Sequence, residues 1–141
     1  MKRMRSEKGA ALLEAAVTVP IILLLSVGIF EFGRAYQTQQ VLTNAAREGA
    51  RVAVIEGTTD AEVRTRVQNY LTSGGLKTLS DSQIVISRAV ALTPSSTAST
   101  VEIDYPFEFM VLNPVVRLIA PTDSTTGAPI TMKAATLMRN E

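Results

Sequence analysis

From Ala10 to Phe30 the chain reads AALLEAAVTVPIILLLSVGIF, apolar on every side of a helix, with Glu14 its one ionisable residue. Twenty-one residues at about 1.5 Å each span roughly 30 Å, the thickness of a bilayer's hydrocarbon core. The pattern predicts a membrane-spanning helix over 10–33, with a kink or loosening at Pro20, which removes one backbone hydrogen bond. From Glu31 to Ile55 the sequence EFGRAYQTQQVLTNAAREGARVAVI keeps helical periodicity but becomes two-faced. Leu42, Ala45, Ala46, Gly49, Val52 and Ala53 fall on one arc, and Asn44, Arg47, Glu48 and Arg51 on the other. The helix is therefore expected to continue through 34–56 and to present a face of small residues against which another layer can pack closely. A break into two helices near Gly33 is the alternative. Glu31 and Arg34, three residues apart, read as an ordinary helix-surface pair at the membrane boundary.

Past Gly57 the period changes. Thr59, Asp60, Ala61 and Glu62 form a capping-box pattern that opens a short helix with Val63, Val67, Tyr70 and Leu71 on one face, ended by Ser73, Gly74 and Gly75. Ile84–Leu92 and Val101–Phe109 read as two strands, joined by a long loop, TPSSTAST. In the second, Val101, Ile103, Tyr105, Phe107 and Phe109 alternate with Glu102, Asp104, Pro106 and Glu108, which marks one buried and one acidic face. Pro106 suggests an edge strand or a bulge. Val115–Ala120 is apolar and fits either helix or strand; 121–129 reads as loop and Ile130–Arg139 as a last strand. About 85 residues are marginal for an independent core, so the sheet is expected to pack on the small-residue arc of the long helix. The fold class predicted is α+β: a long N-terminal membrane helix continuing into a 57–141 domain with a short helix and about three antiparallel strands.

Charge adds a direction. The first nine residues hold Lys2, Arg3, Arg5 and Lys8 against Glu7, a balance of +3, while the rest carries ten basic and twelve acidic side chains. Basic residues stay on the cytoplasmic side, so the expected orientation is N-terminus in and C-terminal domain out. Composition removes much chemistry: without Cys or His there is no thiol or imidazole for zinc, redox work or a Ser-His-Asp triad. The near-neutral balance and few aromatics argue against nucleic acid. The row Glu102, Asp104 and Glu108 is read as a solvated strand face rather than a metal or catalytic site. No enzyme activity, cofactor or metal is expected.

Glu14 remains to be explained. A carboxylate in a membrane helix costs about 2.5–3.5 kcal/mol at the bilayer centre and less near the interface. Ahead of it runs Lys8-Gly9-Ala10-Ala11-Leu12-Leu13, a basic leader that ends in Gly five residues before the Glu. In this the sequence resembles prepilin peptidase substrates of the type IV pilin class, which are cut on the cytoplasmic face after that Gly. The resemblance implies cleavage between Gly9 and Ala10, leaving 1–9 as a leader peptide. The new α-ammonium at Ala10 has an ordinary pKa near 7.7–8.0, so it is mostly protonated at neutral pH. In pilin-like assemblies such a Glu pairs with a neighbouring subunit's N-terminal ammonium, which makes Ala10 and Glu14 the register pair.

The run from Gly9 to Val54 is also similar to the TadE-like family, minor pseudopilins of the tight-adherence (Tad or Flp) pilus system. The likeness lies in the Glu14-Ala15-Ala16 start, the Glu31-Phe32-Gly33-Arg34-Ala35 exit and the Asn44-Ala45-Ala46-Arg47-Glu48-Gly49-Ala50-Arg51 segment. It implies a single-pass protein of the bacterial inner membrane with a periplasmic domain, which takes part in the initiation or assembly of an adhesive pilus. The partners it implies are prepilin peptidase, another TadE-like or TadF-like pseudopilin, the short Flp-type pilin, the inner-membrane platform and the lipid bilayer. Three alternatives stay open: a secreted or signal-anchored periplasmic binding module cut after Gly28, a membrane-anchored carboxylate-dependent hydrolase, and a type II secretion pseudopilin.

Overall fold

The computed structural model of the chain describes residues 3–93, 96–119 and 128–140. Its elements run α1 (Arg3–Ala53), α2 (Asp60–Ser73), a single 3₁₀ turn (Asp81–Gln83), β1 (Ile84–Thr93), β2 (Ser96–Phe107), α3 (Leu112–Ile119) and β3 (Ile130–Arg139). The chain is α+β, a long N-terminal helix and a short second helix followed by a three-stranded antiparallel sheet. It divides into two compact units. One comprises residues 1–34 and 109–127, the other 35–108 and 128–141.

α1 is continuous for 51 residues, Pro20 included, so the break considered near Gly33 does not occur. Among the described residues it runs from Arg3 to Ala53, three residues short of the end expected at 56. Gly57, with φ +82°, takes the left-handed conformation that turns the chain away. Thr58 Oγ closes the end by donating to the Val52 and Ile55 carbonyls at 3.0 and 2.7 Å.

α2 starts where its capping box placed it. The Thr59 side chain accepts from the Glu62 amide at 3.3 Å, and the Glu62 carboxylate accepts from the Thr59 amide at 2.7 Å. Val63, Val67 and Leu71 are buried, whereas Tyr70, expected on the same face, is exposed. It sits a full 100° step from Leu71, at the edge of the apolar arc.

β2 is the central strand, paired with β1 and with β3. Its burial alternates as the sequence does: Val101, Ile103, Tyr105 and Phe107 are buried, and Glu102 is exposed. Pro106 therefore does not lie on an edge strand. It escapes the cost of a lost ladder bond because β1 pairing stops at Ile84–Ile103, leaving residues 104–107 bonded to β3 alone. Phe109 falls beyond the strand, which ends at Phe107.

The long polar loop predicted over 93–100 is not there. β1 runs to Thr93 and β2 resumes at Ser96, with Thr93 and Ser96 paired in register. Ser99 is buried, and its hydroxyl donates to Oδ1 of Asn140, the residue after β3, at 2.8 Å, so the polar strand is satisfied there. Residues 121–127 of the expected loop lie outside the described residues.

The core of the second unit gathers Leu42, Ala45, Ala46, Ala50 and Ala53 of α1, the buried face of α2, and the inward side of β2. Arg88 on β1 ties three parts together. Its guanidinium donates to Asp60 Oδ1 at 2.7 Å, near the α2 N-terminus, and to the Ala53 carbonyl at the end of α1 at 2.9 Å. Cations at a helix C-terminus satisfy its free carbonyls.

Candidate functional site

The residues singled out for processing and register lie on the exposed surface of α1. Gly9, Ala10 and Glu14 are all exposed helical residues. A Cβ built on Gly9 meets no atom within 4 Å. Between residues 9 and 30 only Val27 and Gly28 are even half-buried, and the large apolar side chains from Leu12 to Leu25 are mostly open. This helix is long and apolar enough to cross a membrane, and none of its most apolar window is buried. A core helix of a soluble domain would show the opposite. Among the described residues no side chain neutralises Glu14.

Pro20 sits inside this stretch, and its missing N–H leaves the Ala16 carbonyl without its usual partner. Six residues after Pro20, Ser26 Oγ donates back to the Ile22 carbonyl at 2.8 Å, a bond that hides a hydroxyl in apolar surroundings. An open apolar groove follows Ile21, Leu24, Leu25, Gly28, Ile29 and Phe32, one helical face at spacings of three and four. In a bilayer that face meets acyl chains or another helix.

The packing arc on the second half of α1 is where the periodicity put it, shifted slightly. Leu42, Ala45, Ala46, Gly49 and Ala53 are buried, Val52 is half-buried, and Ala50, which the arc omitted, is fully buried. The arc's small residues matter most at Gly49. A Cβ there would lie 2.5 Å from Val67 Cγ2 of α2 and 3.3 Å from Val101 Cγ1 of β2. Helix, helix and sheet meet at that one residue. On the opposite side Glu48 accepts from Arg66 Nε of α2 at 3.1 Å, and this guanidinium holds its carboxyl below the usual glutamate range. Arg47 and Arg51 remain exposed.

Glu31 differs from expectation. It is completely buried, and the Arg34 guanidinium that bonds it at 3.1 Å is only part of its environment. Its carboxylate also accepts the backbone amides of Val111 and Leu112, where α3 begins. The free amides of a helix's first turn carry partial positive charge and favour a carboxylate. Glu31 thus caps a helix whose sequence lies 80 residues away, inside the same unit. The signal for this was weak: Asn113-Pro114 reads as a helix start, but nothing in the sequence says which acid meets it.

The acidic row of β2 is dispersed. Asp104 pairs with Lys133 of β3 at 3.2 Å, Glu102 points to solvent, and Glu108 follows the strand.

Residues 9–51 match the family model described as TadE-like protein, a segment that takes in the apolar run, Glu31 and most of the packing arc. The matched segment is less than a third of the chain and lies within the helix that is long and apolar enough to cross a membrane. No curated protein and no solved structure matches the chain.

Proposed function

We propose that this chain, TadE-like along its membrane helix, is a minor pseudopilin that takes part in initiating or assembling a Tad-type (Flp) pilus for adherence. Prepilin peptidase removes residues 1–9 by cutting between Gly9 and Ala10 on the cytoplasmic face, and residues 10–33 span the inner membrane once. The domain from 34 onward is periplasmic. Partners in the reading are a second TadE-like or TadF-like pseudopilin, the short pilin and the inner-membrane platform. No catalytic residue is assigned.

The observation that carries this reading is the TadE-like segment itself, which puts Glu14 inside an exposed apolar helix five residues beyond Gly9. An unpaired carboxylate at that depth is costly, and a cation brought by another subunit offsets the cost. Cleavage makes such a cation at Ala10. The pair is favourable only when both members meet, so it sets the axial position at which one subunit joins the next. An exposed glycine with no neighbouring atoms also suits the close backbone approach that a peptidase needs.

N-terminal sequencing of the protein isolated from piliated cells tests the reading. A mature chain that starts at Ala10 supports it. A start at Ile29 would mark a cleaved secretion signal, and an intact basic leader in cells with working pili would remove the register pair; either result overturns the proposal.

A further inference from the structure

We propose that the outer edge of β3, from Ala135 to Arg139, pairs with the same edge of a second copy of this chain. The two strands run antiparallel about a two-fold axis at Leu137, so that two three-stranded sheets join into one. This surface lies outside the TadE-like segment and does not depend on cleavage at Gly9.

β3 is an edge strand, and an edge presents a row of unpaired amides and carbonyls to any extended chain that meets it. Which residues face outward follows from the ladder. The Asn140 amide donates to the Thr97 carbonyl of β2 at 2.9 Å, so by the alternation of an antiparallel pair the even-numbered residues of β3 bond to β2 and the odd-numbered ones turn their N–H and C=O away. Gln39 of α1, in the same unit, agrees with this parity and covers part of the edge: its Nε2 donates to the Lys133 carbonyl at 3.0 Å. The opposite edge of the sheet is closed to a regular partner. There β1 shifts register between Ser87 and Val90, Ala89 takes φ +54°, and Arg88 is drawn to Asp60 and the Ala53 carbonyl. Bulges and covering groups are the usual means by which an edge is kept from pairing. Neither protects Ala135, Leu137 and Arg139. All three are exposed, the strand keeps unbroken register with β2 from Ile130 to Arg139, and Leu137 is 49% exposed.

Charge selects the occupant and the register. On the solvent face of the sheet Glu102 of β2 stands directly opposite Ala135, and Asp104, next along that face, is already paired with Lys133. Among the described residues neither Glu102 nor Arg139 is in an ion pair. With the axis at Leu137, Arg139 of the second copy falls opposite Ala135, in the same row as Glu102 and about 10 Å from it between Cα atoms. Ala135 is small, and the two long side chains meet over it. The two-fold makes that ion pair twice and sets the two Leu137 side chains against each other between them; cross-strand contacts of both kinds stabilise a sheet. An axis at 136 would instead set Lys133 against Arg139, a like-charged pair, and an axis at Ala135 would need the Lys133 carbonyl that Gln39 holds.

The chain has no cysteine, so Leu137→Cys introduces a sole thiol on the axis itself. Directly opposed residues of a hydrogen-bonded antiparallel pair have Cα atoms about 5.5 Å apart, within reach of a disulfide. Full-length protein in detergent micelles, oxidised with copper phenanthroline, should give a disulfide-linked dimer with Leu137→Cys and none with Ser87→Cys, an exposed position on β1. In sedimentation measurements on the cysteine-free chain, Arg139→Glu and Glu102→Arg should each weaken self-association by roughly tenfold, and the double variant should restore it. Both residues are exposed, so the thermal midpoints of the variants should stay at the wild-type value. A Leu137→Cys chain that stays monomeric, dimers that ignore either charge reversal, or a double variant no tighter than the singles would each overturn the pairing. Leu137→Cys protein that links in cells only to a different pilus subunit would assign the edge to another partner and overturn it as well.

Discussion

At Gly49 one hydrogen atom decides how closely α1, α2 and β2 approach. A Cβ at 2.5 Å from Val67 Cγ2 is closer than side-chain carbons pack, so Val67 or the helix that carries it must shift. Gly49→Val should destabilise the second unit by about 1–3 kcal/mol through overpacking. The measurement is thermal unfolding of the full chain in detergent, and an unchanged midpoint would show that the layers are not in contact there. Ala89 makes the reverse case. It adopts φ +54° at the irregularity in β1 between Ser87 and Val90, a conformation that costs a residue with a Cβ about 1–2 kcal/mol. Ala89→Gly relieves that strain and gives back about 0.5–1 kcal/mol in backbone entropy. The expected result is a small gain in melting temperature, where Ala→Gly inside a regular strand would give a loss.

Among elements, α2 has the most fully specified boundary. Its N-terminal acid also carries a pH signature: the Thr59 amide and hydroxyl that bond Glu62 hold its carboxyl below the ordinary glutamate value of about 4.3. A carboxyl that is more acidic in the folded state adds stability above its unfolded pKa, and that contribution disappears as pH falls through the lowered value. Glu62→Gln keeps hydrogen-bonding capacity but cannot titrate. Its melting temperature should therefore fall less steeply than wild type as pH drops from about 5 to 3. Identical acid limbs in the two proteins would remove Glu62 from the account. The ion pair of Glu48 with Arg66 is partly solvated and contributes less than about 1 kcal/mol, so it does not mask the effect.

For the whole molecule the question is what an exposed apolar helix with one acid does in company. On the proposed reading of 10–33 as a span behind a cleaved leader, Glu14→Leu raises the apolarity of that span, so membrane insertion and removal of residues 1–9 should be retained. If the proposed register pair holds, incorporation with other pilus subunits should fall, because the carboxylate that would meet an ammonium is gone. Comparing processed protein by immunoblot with pili by electron microscopy separates the two effects. Normal piliation in this variant would eliminate the register argument and leave the membrane span untouched.

Most of the fold was legible in the sequence because its signals are local. A twenty-one-residue run with one ionisable side chain, a change to two-faced periodicity at Glu31, a Thr59–Glu62 box and strict alternation over 101–107 each fix an element through contacts between near neighbours. The small-residue arc of α1 was legible for the same reason, and the structure seats Val67 and Val101 against its glycine. The strand character of Ser96–Thr100 was hidden because the stretch is mostly polar, and pairing with β1, joined from Ala98 onward by β3, makes a strand of it. Val115–Ala120 was ambiguous because a short apolar run fits helix or strand equally until its surroundings are known. The role of Glu31 lay beyond periodicity altogether. Whether an acid is a surface partner of Arg34 or the buried cap of α3 depends on which amides meet it, and contact between residues 80 apart exists only once the chain has folded.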